Sequence, residues 1–544
     1  MGQFCSIMAA RNMRVQRSSQ AATREKCLRM PTSQPIRPYS CGLAAVLALV
    51  GFSLAPRAHA GAANPPSEQT EPGSGNSPGL TSTPDRDSSE ARSFWVPAIE
   101  IPSFQFLLNR FDHYAIDADT YPAPWTNLRT NLHRSWVIDN DKFSTNQFLH
   151  PYQGSIYQGL ARSAGLDFWQ ASAYTFLGSA LWEETGENTA PSINDQIATG
   201  IGGNFLGEPL FRLANLLLEG GEDGRPSWWR ALGAAVISPP TAFNRLVYGK
   251  RFAPAFHSFN PAVVMRMDVS GNFSSQYQSN IRANADPSAP PGNQTVKRGS
   301  GTAAIAVGYG LPGKAGYEYE RPFDYFDLEF TLDSASSVES IFSRGLLVGQ
   351  AYEAGPGYRG IWGLYGLYDY SAPTIFRVSN TGGAFGTTGQ WWLSRQIALQ
   401  STALIGIGYA GGGVIRSAGV TAPGPLGEGQ RNYHYGLAPE SIVALKLIFG
   451  ERAALECTAR GYYISKIAAS ESTGSETLDR IDVRFTLRVH GPNGLTIRYT
   501  DSNRDGRYVN LPDSHQRVQT VSIGYTVLGP TGFGAVDWRR DTSQ

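Results

Sequence analysis

The chain has 544 residues, enough for about three domains or for one large barrel with a smaller unit. Lys+Arg 46 against Asp+Glu 45 leave a formal charge of +1, with no basic excess to hold a phosphate backbone, which excludes nucleic acid as a partner. A mean hydropathy of −0.26 excludes a polytopic helical membrane protein built from repeated runs of about 20 apolar residues, whereas Gly 60, Tyr 25, Trp 11 and only 17% charged residues suit β-structure with an aromatic, partly apolar outside.

The first 60 residues follow the pattern of a bacterial secretory signal. Arg11, Arg14, Arg17, Arg24, Lys26, Arg29 and Arg37 form a basic region, an apolar run spans Gly42 to Ala55, and Ala58-His59-Ala60 offers a cleavage site. The run is shorter than the ~18 residues a membrane span needs. Removing it leaves 38 basic and 44 acidic residues, a net −6, and only Cys457 of the four cysteines. An exported chain with one cysteine has no intramolecular disulfide and no cysteine metal site. Residues 61–93 are rich in Pro, Ser and Gly with almost no large apolar side chains, a composition that predicts a disordered linker.

From Phe94 the composition turns aromatic and aliphatic. Pro102 is placed to open a short helix over SFQFLLNRF. HPYQGSIYQGLARSAG predicts a helix from His150 to Gly165, and a second runs from about Leu166 to Glu187. Ser192 is the expected N-cap of a third, with Asp195 three residues on, and a fourth ends on Gly220-Gly221. The stretch around Trp228-Trp229 is expected to be a loop.

At Pro261 the period changes from helical to two. Val263, Met265, Met267 and Val269 alternate with Val264, Arg266, Asp268 and Ser270; Ile481, Val483, Phe485, Leu487 and Val489 alternate with Asp482, Arg484, Thr486 and Arg488. Ten to twelve such segments follow, about nine to eleven residues long, the length that crosses a bilayer at a tilt. Aromatic residues gather near their ends: Trp391-Trp392, Tyr368 and Tyr370, Tyr433 and Tyr435, Tyr462-Tyr463. A soluble antiparallel sandwich also alternates in this way, but length, export and aromatic placement favour an outer-membrane barrel whose lumen holds the charges. The chain ends WRRDTSQ, whereas outer-membrane barrels commonly finish on an aromatic residue; Trp538 lies six residues from the end, so either a short tail follows the last strand or this feature counts against the barrel. GIGYAG at Gly406–Gly411 is expected to be strand and turn, since no helix follows it.

The helical block carries the densest polar content. Ser172, Ser179, Glu183 and Glu187 lie on one side of the second helix, with His150, Tyr152, Asn194, Asp195, Glu208 and Arg212 near it in sequence. Two accounts stay open. In one, Ser179 attacks an ester with His150 as base and Glu183 or Asp195 orienting the imidazole, and Tyr152, Glu187, Asn194, Glu208 and Arg212 bind; the same His150, Glu183 and Asp195 could hold a divalent cation. In the other, Asp195 and Ser192 cap a helix, Arg212 pairs with Glu208 at i,i+4, and Glu183 pairs with a lumen arginine. No G-x-S-x-G or H-E-x-x-H favours the first, and no metal site or cofactor is assigned.

HPYQGSIYQG, GSALWEETGE, PSINDQ and LGEPLFR over roughly residues 130–260 resemble an uncharacterised bacterial family of Gram-negative envelope proteins, a domain of unknown function. The resemblance places its motif positions on His150, Pro151, Tyr152, Gly154, Trp182, Glu183, Pro191, Ser192, Asn194, Asp195 and Glu208, and implies no activity.

The expectation is an α+β chain: signal peptide over 1–60, linker over 61–93, a helical domain over 94–260 packed as a plug inside or against the barrel mouth, and an antiparallel barrel of about 12 strands over 261–544. The predicted function is an outer-membrane barrel with a structural or solute-transport role, with outer-membrane lipids and a small solute as partners. The alternative is a membrane-embedded lipid or glycolipid hydrolase.

Overall fold

The computed structural model describes residues 92–139, 141–219, 226–249, 256–283, 290–414, 420–421, 433–465, 474–509 and 512–538. The expected signal peptide and linker lie outside the described residues, Arg92 and Ser93 excepted.

The helical block holds α1 (Trp95–Ala115), α2 (Pro124–Asn131), α3 (His150–Ser163), α4 (Phe168–Thr185), α5 (Ile193–Ile197), α6 (Gly203–Glu219), α7 (Trp228–Ile237) and α8 (Pro239–Tyr248). Ser192 caps α5 by accepting from Asp195 N–H at 3.2 Å, as the sequence predicts, and Asp167, which it did not single out, closes a capping box with Gln170 at the start of α4. Two expectations fail. Pro102 does not open α1; the helix starts seven residues earlier and carries Pro102 inside, on its exposed face. The stretch around Trp228-Trp229 is two helices, not a loop, because Gly233 and Ala234 let α7 lie close against α6.

Twelve antiparallel strands follow: β1 (Val263–Ala283), β2 (Gly292–Tyr309), β3 (Phe326–Asp333), β4 (Ser337–Glu353), β5 (Tyr358–Ser371), β6 (Phe376–Trp392), β7 (Ile397–Val414), β8 (Tyr433–Phe449), β9 (Ala453–Ile464), β10 (Gly474–His490), β11 (Asn493–Tyr508) and β12 (Ser514–Leu528). Each pairs with the next, and β12 pairs with β1 from Arg266↔Leu528 to Gln278↔Gln516, which closes the barrel and leaves no edge. All but β3 are longer than the nine to eleven residues expected. The connections β4–β5, β6–β7, β8–β9 and β10–β11 are two to four residues long and lie at one end, with the start of β1 and the end of β12. Gly491, with φ +55, makes the tightest of them. The β2–β3 connection at this end is longer, residues 310–325, and the opposite, long-loop end carries the β1–β2, β7–β8 and β9–β10 connections together with the short β3–β4 and β5–β6 turns.

Side-chain contacts across the barrel fix which face is inside. Arg266 on β1 reaches Glu456 on β9 (2.6 Å), Arg480 on β10 reaches Glu339 on β4 (3.2 Å), and Arg460 on β9 reaches Asp369 on β5 (3.4 Å). These strands are not neighbours, so the charges meet across the lumen. By the two-residue alternation, Val269, Phe273, Ile405, Val443, Ile481, Ile497 and Ile523 face outward, and they are exposed.

The same parity corrects the expected plug. Ser343, Gly366, Tyr368, Thr381, Tyr433 and Tyr435 also face outward, yet all meet the helical block. Ser343 Oγ donates to the Phe205 carbonyl at 2.6 Å, Tyr368 hydroxyl donates to the Gln147 carbonyl at 2.6 Å, and Gln147 Nε2 donates to the Tyr435 hydroxyl at 2.7 Å. The helices are docked on the outer wall over β3–β8 rather than in the lumen. Tyr368, Tyr370, Tyr433 and Tyr435, read from sequence as an aromatic girdle, are buried in this interface with Phe143, Phe168, Phe205 and Phe323.

Candidate functional site

The polar residues singled out in the helical block fall into two groups. The first lies where α3 begins and α4 ends, beside Tyr433 and Tyr435 at the long-loop end of the wall. Asn194 is its hub. Its Nδ2 lies 2.8 Å from carboxylate oxygens of Asp139 and Asp195 and 3.2 Å from the Tyr435 hydroxyl, and its Oδ1 accepts from Asp139 N–H and Ser192 Oγ. His150 Nε2 stands 3.7 Å from Asp195 Oδ2, both side chains buried. Glu183 Oε2 accepts from Ser192 N–H at 2.8 Å. Its expected partnership with a lumen arginine is not formed, because the barrel wall separates the two. Glu187 sits just past α4, where burial pushes its carboxyl up to about 7, and burial also raises that of Asp141.

The second group joins the block to the short-turn end. Glu208 on α6 accepts from Arg162 Nε and Arg212 Nε at 2.8 Å each and from Gln158 Nε2 at 2.6 Å. Arg212 continues to Asp324 (2.8 Å) and the Pro322 carbonyl (2.6 Å) in the segment between β2 and β3. The i,i+4 pairing of Glu208 with Arg212 is thus present, as half of a clamp. Glu208 and Arg212 are therefore not neighbours of His150, as the binding set required.

Ser179 lies one turn before Glu183, buried, with no hydrogen-bond partner among the described residues. The Ser179–His150 contact of a hydrolase is not formed. Tyr152 is half-exposed, at the surface. Among the described residues no group of three or more His, Cys, Asp or Glu side chains has the arrangement of a metal site.

Sequence reasoning placed the charges in the lumen but missed Asp139, Asn146, Arg162, Asp324 and the return of the chain's tail into the barrel. Lys446, Arg266 and Arg484 converge on Glu456 at 3.0, 2.6 and 3.2 Å, while Arg484 and Arg498 share Glu329 at 3.4 and 3.3 Å. Arg344 pairs with Asp327 at 2.6 Å, and Arg498 pairs with Asp482. These groups line a cavity of about 190 Å³. At the short-turn end the tail after β12 turns into the lumen. Gln390 Nε2 and Trp392 Nε1 donate to the Val536 carbonyl at 2.7 and 3.0 Å, Gln400 Nε2 donates to the Gly534 carbonyl at 2.8 Å, and Trp538 packs edge-on against Trp392. At the other end Arg504, fully buried, pairs with Glu476, which lies 3.1 Å from His434 Nε2, above an apolar ring that includes Val378, Leu478 and Val518. The glycine-rich GPTGFG before Trp538 was the one sequence sign that this tail turns back.

Residues 135–240 match the family model DUF3943, described as a domain of unknown function. No curated protein matches the chain. Among solved structures it is similar to a FadL homologue of Pseudomonas aeruginosa (10% identity, 50% of this chain and 91% of that one, TM-score 0.22). It is also similar to the translocator domain of the autotransporter NalP of Neisseria meningitidis (13%, 48% and 88%, 0.21) and to the outer membrane channel DcaP of Acinetobacter baumannii (8%, 47% and 96%, 0.17).

Proposed function

We propose that the chain is an exported outer-membrane barrel protein whose lumen is a gated path for a small polar solute. The closed sheet, the apolar outward face and the short turns at the end that holds both the start of β1 and the end of β12 support the membrane setting. One observation carries the role: the charged cavity of about 190 Å³ lies between two closures, one of which is a tail held in the mouth by hydrogen bonds to side chains. A merely structural barrel has no need of a charged cavity between two closures.

The test is conductance in planar lipid bilayers. The full chain should be silent. A chain ending at Leu528 and carrying Leu478→Ala, which removes the tail and thins the apolar ring, should give discrete conductance steps. Silence from that variant, with the heat-shifted gel mobility of a folded barrel, would leave a structural role only.

A second reading, a lipid or glycolipid hydrolase in the helical block, has only His150 facing Asp195 in its favour, since Ser179 is buried and His150 does not reach it. Turnover of a p-nitrophenyl ester that disappears in Ser179→Ala, with the barrel still folded, would establish it.

A further inference from the structure

The exposed surface of the helical block is inside-out. On α1 the side chains turned inward are Glu100, Gln105, Asn109 and Asp112 with Pro97 and Ile101, while Trp95, Ile99, Phe106, Leu107, Phe111 and Tyr114 are exposed. α8 repeats this, with Thr241 and Asn244 inside and Phe243, Leu246 and Val247 outside; on α4 Thr175, Ser179 and Glu183 are inside and Trp169, Phe176 and Leu177 outside. Leu107, Leu177 and Leu246 are 67%, 68% and 85% exposed. In water such a surface is costly, at about 25 cal/mol per Å² of apolar area.

We propose that this face lies in the hydrocarbon of the outer membrane, so that the block is a lipid-facing helical bundle beside the barrel; this rests on the outer-membrane reading above. Three observations commit the surface to acyl chains. First, it continues the outward wall of the barrel. The bundle is fixed to β8 through Tyr433 and Tyr435 near the long-loop end and to the β2–β3 segment through Asp324 near the short-turn end, so it runs alongside the wall for much of its height. Second, its length fits. The 21 residues of α1 at 1.5 Å each span roughly 31 Å, against about 30 Å of hydrocarbon.

Third, the fully exposed charged side chains stand at the rims. Exposed Asp117, Asp119, Arg129, His133 and Arg134 follow the end of α1, and exposed Asp167 stands at the opposite end, before α4. Between them, Ser103 Oγ on the outer face of α1 donates to the Ile99 carbonyl at 2.7 Å, and Ser172 Oγ donates to the Phe168 carbonyl at 2.8 Å. Each hydroxyl is satisfied within its own helix, as lipid requires. No helix among the described residues is long and apolar enough to count as a span by hydropathy, because half of each helix's surface is polar and turned inward.

The test uses nitroxide labels on the full chain in dioleoylphosphatidylcholine vesicles, comparing collisions with oxygen, which partitions into lipid, and with the polar chelate NiEDDA. Cys457, exposed on the outward face of β9, is the wall reference after Cys5, Cys27 and Cys41 are replaced by Ser. Leu107→Cys, Leu177→Cys and Leu246→Cys are each labelled in a chain that also lacks Cys457. Oxygen collisions several-fold above those with NiEDDA at all four sites are expected. Lipid contact at Cys457 with water at the three helical sites overturns the lipid-facing bundle and leaves the membrane barrel standing. So does a low rate for both reagents at the helical sites, which would mean that protein covers them. Water at Cys457 overturns both.

Discussion

Two parts of one barrel wall obey different rules. Where the wall is bare its outward residues are large and apolar, as at Val269, Phe273, Ile405 and Val443. Where the helices cover it the outward positions are Ser343, Gly345, Gly366, Thr381 and a set of tyrosines. Small residues let α6 approach until Phe205 sits over Gly366, and the tyrosine hydroxyls meet Asn146, Gln147 and Asn194. A bare wall needs only area; a covered wall needs close approach and a partner for every buried polar group.

The most severe way to break this contrast is Arg212→Ala. It leaves the carboxylates of Glu208 and Asp324 without a shared buried cation and should cost about 3 to 5 kcal/mol. Trypsin should then cut within the helical block while the barrel keeps its heat-shifted mobility; a block as resistant as before would mean that the clamp holds nothing.

Acidity probes the same block from its other end. A carboxyl raised by burial holds its proton more tightly in the folded state, so its contribution to stability is present at low pH and is lost as pH rises from about 4.5 through about 7. For Glu187 the loss is at most about 3 kcal/mol. Urea midpoints of the block should fall across that window, and Glu187→Gln should flatten the fall.

Glycine substitutions compare the two walls directly. A Cβ at Gly366 meets the Phe205 ring at 2.6 Å, whereas one at outward-facing Gly271 meets nothing within 4 Å. Gly366→Ala should cost about 1 to 3 kcal/mol by overpacking, and Gly271→Ala should stay within about 0.5 kcal/mol. Equal urea midpoints would erase the distinction. Tyr435→Phe, which removes one hydroxyl from Gln147 and Asn194, should cost about 1 kcal/mol in the same assay.

Local pattern alone dictates the strands, their inward and outward faces, and the start of α5 at Ser192. These depend on period-two alternation and on caps that act within four residues. It also placed Asn194 and Asp195 beside His150 as one polar set. Long-range packing sets the helices outside the barrel, makes Glu208 and Arg212 clamp the opposite end, and brings the tail after Leu528 into one mouth of the lumen. A two-residue period says that Tyr368 and Val269 share the outward side, but not which of them meets a helix. That choice rests on contacts between residues hundreds of positions apart, and no local pattern encodes such pairs.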